Sequence, residues 1–367
     1  MRHMINSEWI DTFNHAVVAD RVPVSGMIEL TRRCNLKCVH CYLGEGDDRF
    51  GEGEMSTEQV IDVIDQITEA GCLYLAITGG DPMMRKDFPE VYRHAKEKGL
   101  LVTVMCDGVL VTKKIVELFK ELPPSAVEIS LYGATAETYE TITQIPGSFP
   151  RCVRGIGRLV DAGIKVRIKT VLMSLNAHEA DDMRQLATDF GLDLRMDAAI
   201  FPCLHTSDKR PLDLRVPPQQ VVQIELSDPK SAASWIKYLD RPAPEAPKDK
   251  LYVCGAGVTG FYIDPFGYAY PCMMTTRYKY NLLETDFKTL WAERMGELHD
   301  KKPRADYECA GCDLQRACAS CPGFHDQEHG AEDVKSDYVC DTAKSRFRAL
   351  QDPELRAAAQ AYEDGTL

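Results

Sequence analysis

Long apolar runs are missing from this 367-residue chain: no segment approaches the roughly 18 to 20 uninterrupted apolar residues of a membrane span. The N-terminus, MRHMINSEWIDTF, lacks the basic-then-apolar order of a secretory signal. Positive charge is in deficit, with 43 Lys and Arg against 56 Asp and Glu for a formal charge of −13. The clustered cations that a nucleic-acid or anionic-membrane surface needs are therefore not expected. These absences predict a cytoplasmic protein with no membrane and no nucleic acid as partner. Low-complexity and collagen-like composition is absent too, since 44% apolar, 8% aromatic and 27% charged residues are those of an ordinary globular chain. No glycine-rich dinucleotide fingerprint follows the first strand-like segment, and there is no tandem repeat.

Cysteine, in contrast, is abundant. Fourteen are too many for a random cytosolic chain of this length, and in a reducing compartment clustered cysteines bind metal more readily than they form disulfides.

Apolar, β-branched segments alternate with amphipathic ones. GMIEL near 26, CLYLAIT from 72, LLVTVM from 100, AVEISL from 126, IKVRIKTVLM from 164 and LDLRM from 192 read as strands. STEQVIDVIDQITEA, FPEVYRHAKEK, TKKIVELFKEL, FPRCVRGIGRLVDA and EADDMRQLATDF carry apolar residues at helical spacing. This alternation predicts an α/β fold, a partial (β/α)6 TIM-like barrel with a parallel sheet. Prolines cluster over 202–250 around one expected helix at 218–226, after which 251–340 is rich in Gly, Tyr and Cys. The expected organisation is a lead-in over 1–25, the barrel over 26–215, a bridge over 216–250, a small metal-stapled domain over 251–345 that includes a hairpin-like GFYIDPFGYAYPC, and a helix over 346–367.

Directly after the first strand comes Thr31-Arg32-Arg33-Cys34-Asn35-Leu36-Lys37-Cys38-Val39-His40-Cys41-Tyr42. Iron-sulfur clusters that only carry electrons take four cysteines, so three leave one iron open for a substrate or cofactor. A zinc knuckle with His40 as fourth ligand is the competing reading. The loops after barrel strands are where such folds place their chemistry. The Cys-x3-Cys-x2-Cys spacing on this loop resembles the radical S-adenosylmethionine (radical SAM) enzymes. The resemblance implies that Cys34, Cys38 and Cys41 hold a [4Fe-4S] cluster whose fourth iron chelates S-adenosylmethionine. Its reductive cleavage gives a 5′-deoxyadenosyl radical that abstracts hydrogen from substrate.

After the second strand, Thr78-Gly79-Gly80-Asp81-Pro82 resembles the family's Gly-Gly-Glu motif, with Asp in place of Glu. Its glycines would let backbone approach the cofactor and its carbonyls would accept from the cofactor's ammonium group. Ser130 matches the family's ribose or carboxylate contact, whereas Tyr132 stands where many relatives carry Asp. The resemblance thus implies cofactor contacts at His40, Tyr42, Thr78, Gly79, Gly80, Asp81, Ser130 and Lys169.

A second cysteine cluster reads Cys254-x12-Gly267-x4-Cys272, then Cys309-x2-Cys312-x5-Cys318-x2-Cys321 and finally Cys340. A zinc ribbon from the two Cys-x2-Cys pairs is the alternative, although five residues is a short loop between pairs. The pattern resembles the SPASM domain, which binds two auxiliary iron-sulfur clusters. The resemblance implies an outer cluster on Cys309, Cys312, Cys318 and Cys340 and an inner one on Cys254, Cys272 and Cys321, its fourth ligand unassigned. The last gap is two residues where the family usually has three. Cys72, Cys106 and Cys152 lie in apolar patterns and read as small buried hydrophobes. Cys203, near the exit of the sixth strand, is a candidate to face the active site.

Such enzymes mostly modify ribosomally made peptides, so a peptide substrate is expected, by resemblance alone. Only 33 residues precede Cys34, too few for a leader-binding domain, which suggests a separate leader-binding protein or direct recognition of the core. A flavodoxin- or ferredoxin-type reductant is implied as electron donor. Met273 and Met274 stand where sulfatase maturases tend to carry an acid, which ranks that activity low. Radical modification of a tetrapyrrole or other small metabolite is the alternative. A substrate-free electron carrier is a third reading, disfavoured by the open three-Cys loop. Arg195 and Asp197, at the end of the sixth strand, are the candidate substrate-handling and catalytic residues, against a structural salt bridge or helix cap.

Overall fold

In the computed structural model, which describes residues 6–44, 52–204, 206, 208–242 and 247–366, strands and helices alternate through the first two hundred residues. Helix α1 (Asn6–Ala19) leads into β1 (Ser25–Glu29), α2 (Thr57–Glu69), β2 (Tyr74–Thr78), α3 (Phe88–Glu97) and β3 (Leu101–Cys106). There follow α4 (Lys113–Glu121), β4 (Ala126–Ser130), α5 (Ala136–Thr143), α6 (Ser148–Asp161), β5 (Val166–Val171), α7 (Ala180–Asp189) and β6 (Leu194–Asp197). The remainder holds α8 (Pro218–Leu226), α9 (Pro229–Asp240), β7 (Gly260–Ile263), β8 (Tyr268–Tyr270), β9 (Tyr280–Asn281), α10 (Phe287–Glu293), α11 (Pro322–His329), α12 (Asp337–Ala349) and α13 (Pro353–Glu363). No helix among the described residues is long and apolar enough to cross a membrane.

The local causes are ordinary. Ser56 and Gln59 close a capping box at the start of α2. Thr112 caps α4, whose Ile115, Val116, Leu118 and Phe119 form one buried stripe. Strands β1 to β6 lie in sequence order and all pair in parallel, as right-handed β-α-β crossovers require. Ile28, Ile77 and Val104 share a register line across three strands. With Val127 and Ile129 they are fully buried beneath the helices.

Three features go beyond the sequence reading. The GFYIDPFGYAYPC hairpin forms, with Tyr262 opposite Tyr270, and its first strand also pairs in parallel with β1, so β7, β8 and β9 extend the barrel sheet. Gly26 permits this, because a Cβ there would lie 2.2 Å from the Phe261 ring. In the proline-rich bridge a second helix, α9, follows the expected one; Pro229 sits at its first turn, where a missing N–H costs nothing, and Asp228 caps it. Helix α5, not expected from the pattern, proves central to the site.

Candidate active site

The loop after β1 is held from two sides. Lys37 N donates to Thr143 O at 2.9 Å and Val39 N to Ile142 O at 3.0 Å, so the last turn of α5 supplies the carbonyls that fix it. Asn35 Nδ2 donates to Asp107 Oδ2 at 2.7 Å from the end of β3. Cys34, Cys38 and Cys41 thereby line one cavity of about 450 Å³, together with His40, Tyr42, Thr78, Gly79, Gly80, Ser130, Lys169, Arg195 and Asp197. Of the residues expected from sequence to contact a cofactor or substrate, only Asp81 is not part of that wall.

The reason lies in how the β2 loop meets the cysteine loop. Gly80 N donates to Thr31 O at 2.8 Å and Asp81 N to Arg33 O at 3.0 Å. A Cβ on Gly79 would lie 2.5 Å from Thr31 O, and one on Gly80 would lie 2.4 Å from Arg33 O. The glycines are thus required by the close approach of two backbone segments, in addition to any approach of a cofactor. Asp81, fully buried, turns away and accepts from Met83 N and Asp107 N at 2.9 and 3.0 Å. Burial holds its carboxyl above the ordinary range. Burial, then the charge of Asp81, does the same to Asp107.

The opposite wall is aromatic and basic. The His40 ring stands edge-on to Tyr132, centroids 4.5 Å apart, with Nδ1 buried and unpartnered; burial lowers its pKa to about 4, leaving a neutral imidazole. Tyr42 donates to Glu29 Oε1 at 3.2 Å beneath the loop. Lys169 Nζ lies 3.5 Å from Glu128 Oε2 across β4 and β5, and burial draws its pKa down against the pull of Glu128. Asp197 accepts from Ala199 N at 2.8 Å, and with Arg195 it also borders a second cavity of about 390 Å³ that reaches Trp235 and Tyr338.

The later cysteines sort into two neighbourhoods. Cys309 feels the charges of Cys312 and Cys340, and Cys318 those of Cys309, Cys340 and Cys312. Cys321 feels Cys272 and Cys254, and burial pushes its thiol up to about 11. Met273, next to Cys272 in the chain, lines the main cavity, whereas Cys254, Cys272 and Cys321 do not. Cys72, Cys106 and Cys152 are buried in the apolar core, Cys106 also at the cavity wall. Cys203 is buried behind the loop, its Sγ 3.4 Å from Cys41 O, and opens on a recess shared with Cys38 and Cys41.

Met273, singled out in the sequence for standing where sulfatase maturases tend to carry an acid, also lines the cavity, as do Asp107, Glu128, Met27 and Phe201, which sequence reasoning missed. Asp107 directly follows β3, and the rule that places chemistry after barrel strands would have found it. Among the described residues no three His, Cys, Asp or Glu side chains come together as ligands of a single metal ion.

Residues 28–190 match the Radical SAM superfamily model. Mycofactocin maturase MftC of Mycolicibacterium smegmatis is 30% identical over 311 residues, spanning 81% of this chain and 77% of that protein. The chain belongs to the radical SAM superfamily. AdoMet-dependent heme synthase of Methanosarcina barkeri is 27% identical over 318 residues, 80% of this chain and 89% of that protein. Fe-coproporphyrin III synthase of the same organism is 36% identical over 160 residues, but the match spans only 39% of its length. Two solved structures share the fold. That of anSMEcpe with AdoMet and a peptide has a TM-score of 0.70 at 15% identity, covering 93% of this chain and 99% of that one. Streptococcus suis SuiB with its precursor peptide SuiA gives 0.68 at 17%, covering 93% and 82%.

This radical SAM protein is therefore an enzyme whose cofactors are S-adenosylmethionine and a four-iron cluster. The residues present fit those groups: three thiols on one loop face a cavity, backbone carbonyls crowd beside two glycines, and the wall carries an unpartnered imidazole nitrogen at His40. The cysteine-rich C-terminal region fits SPASM auxiliary clusters.

Proposed function

We propose that this radical SAM enzyme modifies a ribosomally made peptide, by a crosslink or another oxidative change. The observation that carries the reading is the single cavity joining the Cys34–Cys41 loop to Met273 beside Cys272, on a chain 30% identical to a mycofactocin maturase. When bound, the cluster and S-adenosylmethionine supply a 5′-deoxyadenosyl radical that removes a hydrogen atom from substrate. Cys34, Cys38 and Cys41 would hold the cluster at the cavity wall. Gly79, Gly80 and Thr78 present backbone to the cofactor, His40 and Tyr42 flank it, and Ser130 and Lys169 face its polar end.

The outer auxiliary cluster sits on Cys309, Cys312, Cys318 and Cys340, and the inner one on Cys254, Cys272 and Cys321. Arg195 and Asp197, which border both cavities, orient the substrate where it enters at the open edge beside β6. The working units are the lead-in 1–25, the barrel 26–215, the bridge 216–250, the SPASM region 251–345 and a C-terminal segment 346–367, which holds the end of α12 and α13 where one helix was expected. A flavodoxin- or ferredoxin-type protein supplies the electron, and the peptide is either presented by a separate leader-binding protein or recognised directly through its core.

A second reading, radical modification of a tetrapyrrole or another small metabolite, draws on the match to an AdoMet-dependent heme synthase along 89% of its length. Deuterium tracing separates the two. Under the first reading, label from a deuterated peptide encoded beside the gene appears in 5′-deoxyadenosine. Label from a deuterated coproporphyrin, and none from peptide, would replace it with the second.

A further inference from the structure

Arg32 is the first side chain after Thr31 at the top of β1, and only 7% of it is exposed. Its backbone N–H donates to Glu54 Oε1 at 2.8 Å, which fixes the residue in place. Its guanidinium carbon lies 4.7 Å from the centroid of Phe266, in the turn between β7 and β8. It borders the main cavity. A guanidinium carries five donors, and buried polar groups are almost always paired. Arg85, equally buried, follows that rule by donating to Asp87, Leu30 O and Met55 O. Arg32 does not: its Nε is buried without a partner, and among the described residues its guanidinium makes no hydrogen bond and no ion pair.

A preorganised, unpaired cation at a cavity wall is a site for an anion. With Phe266 on one face, it presents its edge, where two parallel N–H bonds match a flat group with two oxygens. We propose that Arg32 anchors a carboxylate, carried by the substrate or by S-adenosylmethionine, at the wall of the cavity nearest the β7–β8 turn. Its place favours the substrate: Ser130 and Lys169, expected at the cofactor's polar end, lie on β4 and β5, whereas Arg32 follows β1 and packs on Phe266 of the β7–β8 turn. The inference rests on the reading of this cavity as the radical SAM site.

The test is calorimetric, on anaerobically reconstituted protein, with N-acetyl-alanyl-phenylalanine and its C-terminal amide as probes beside S-adenosylmethionine. A charge-assisted pair predicts that the wild type binds the acid about tenfold or more tighter than the amide. R32M removes the preference, and R32K, which keeps the charge and loses the fork, retains part of it. If R32M instead weakens S-adenosylmethionine about tenfold and leaves the peptide preference intact, the carboxylate is the cofactor's. Equal binding of acid and amide, or of neither, with S-adenosylmethionine affinity unchanged in R32M, overturns the proposal. The acid and amide comparison on the wild type needs no variant to fold. The underlying reading is scored separately, by 5′-deoxyadenosine formation by the wild type.

Discussion

Met273 and Cys34, 239 positions apart in the chain, line the same cavity. Met273 directly follows Cys272, so the chain brings the second cysteine region to the edge of the cavity that the first one lines. The join is made by the sheet: β7 pairs with β1 in parallel and turns back as β8, delivering Cys272 to the top of the barrel.

The two cysteine regions should fail separately. C34A, C38A or C41A is expected to remove about four irons per chain and abolish 5′-deoxyadenosine formation. C309A or C318A should also remove about four irons yet leave the cluster of the first loop with its own spectroscopic signature. Iron counting with low-temperature electron paramagnetic resonance checks both, and a C309A variant that lost the first cluster as well would show that the sites are not independent.

Gly80→Ala places a methyl group against the carbonyls of Arg33 and Arg32, 2.4 and 2.7 Å away. Backbone cannot yield as a flexible side chain does, so the cysteine loop must shift. The expected cost is about 1–3 kcal/mol, with a large loss of S-adenosylmethionine cleavage. Denaturant unfolding and a cleavage assay measure the two effects, and a fully active G80A would refute the stitching role.

Glu29 is fully buried, and burial raises its carboxyl from 4.5 to about 7 against the opposing pull of Tyr262, Arg32 and Tyr42. The folded protein therefore holds this proton more tightly than the unfolded chain. Its favourable contribution is complete below pH 4.5 and is lost as pH rises through about 7, by roughly 3 kcal/mol. Glu29→Gln should make the protein more stable than wild type at pH 8, with the gap closing toward pH 5. Chemical denaturation across that range gives the curve, and a pH-independent difference would count against a protonated Glu29.

Arg215 locks the barrel exit to the cysteine-rich region. Its Nη2 lies 2.9 Å from Glu328 Oε2, both side chains about one-tenth exposed, and it also donates to Ile200 O and stacks on Tyr338 at 4.4 Å. Removing one partner leaves a buried charge alone, so R215M should cost about 3–5 kcal/mol, and the double variant R215M/E328Q should recover part of that loss. A double-mutant cycle by denaturant unfolding measures the coupling.

The alternation of apolar strands with amphipathic helices made all six barrel strands legible, because one face of each packs against the helices while the other lines the cavity. The three-Cys loop and Gly79-Gly80 reach the cavity from loops after strand ends, and Ser130 and Lys169 reach it from within β4 and β5, positions that the strand pattern made legible. Asp81 was misplaced, since nothing in Gly-Gly-Asp-Pro says whether the carboxylate faces the cavity or caps the turn behind it. Helix α5 was missed because AETYETIT is short and mixed in period, although Thr135 caps it and its last carbonyls hold the cysteine loop. The pairing of β7 with β1 joins residues more than 230 positions apart, and no local pattern encodes it. Arg32 escaped notice because one arginine beside another reads as surface until its burial is seen.

Anaerobic reconstitution, with iron and sulfide counted per chain and 5′-deoxyadenosine assayed after addition of S-adenosylmethionine and reductant, is the measurement to make first. Three four-iron clusters predict about twelve irons, with deoxyadenosine formation lost when Cys34, Cys38 or Cys41 is replaced. One or two zinc ions per chain and no cleavage would contradict the radical SAM reading and leave both cysteine regions as structural zinc sites.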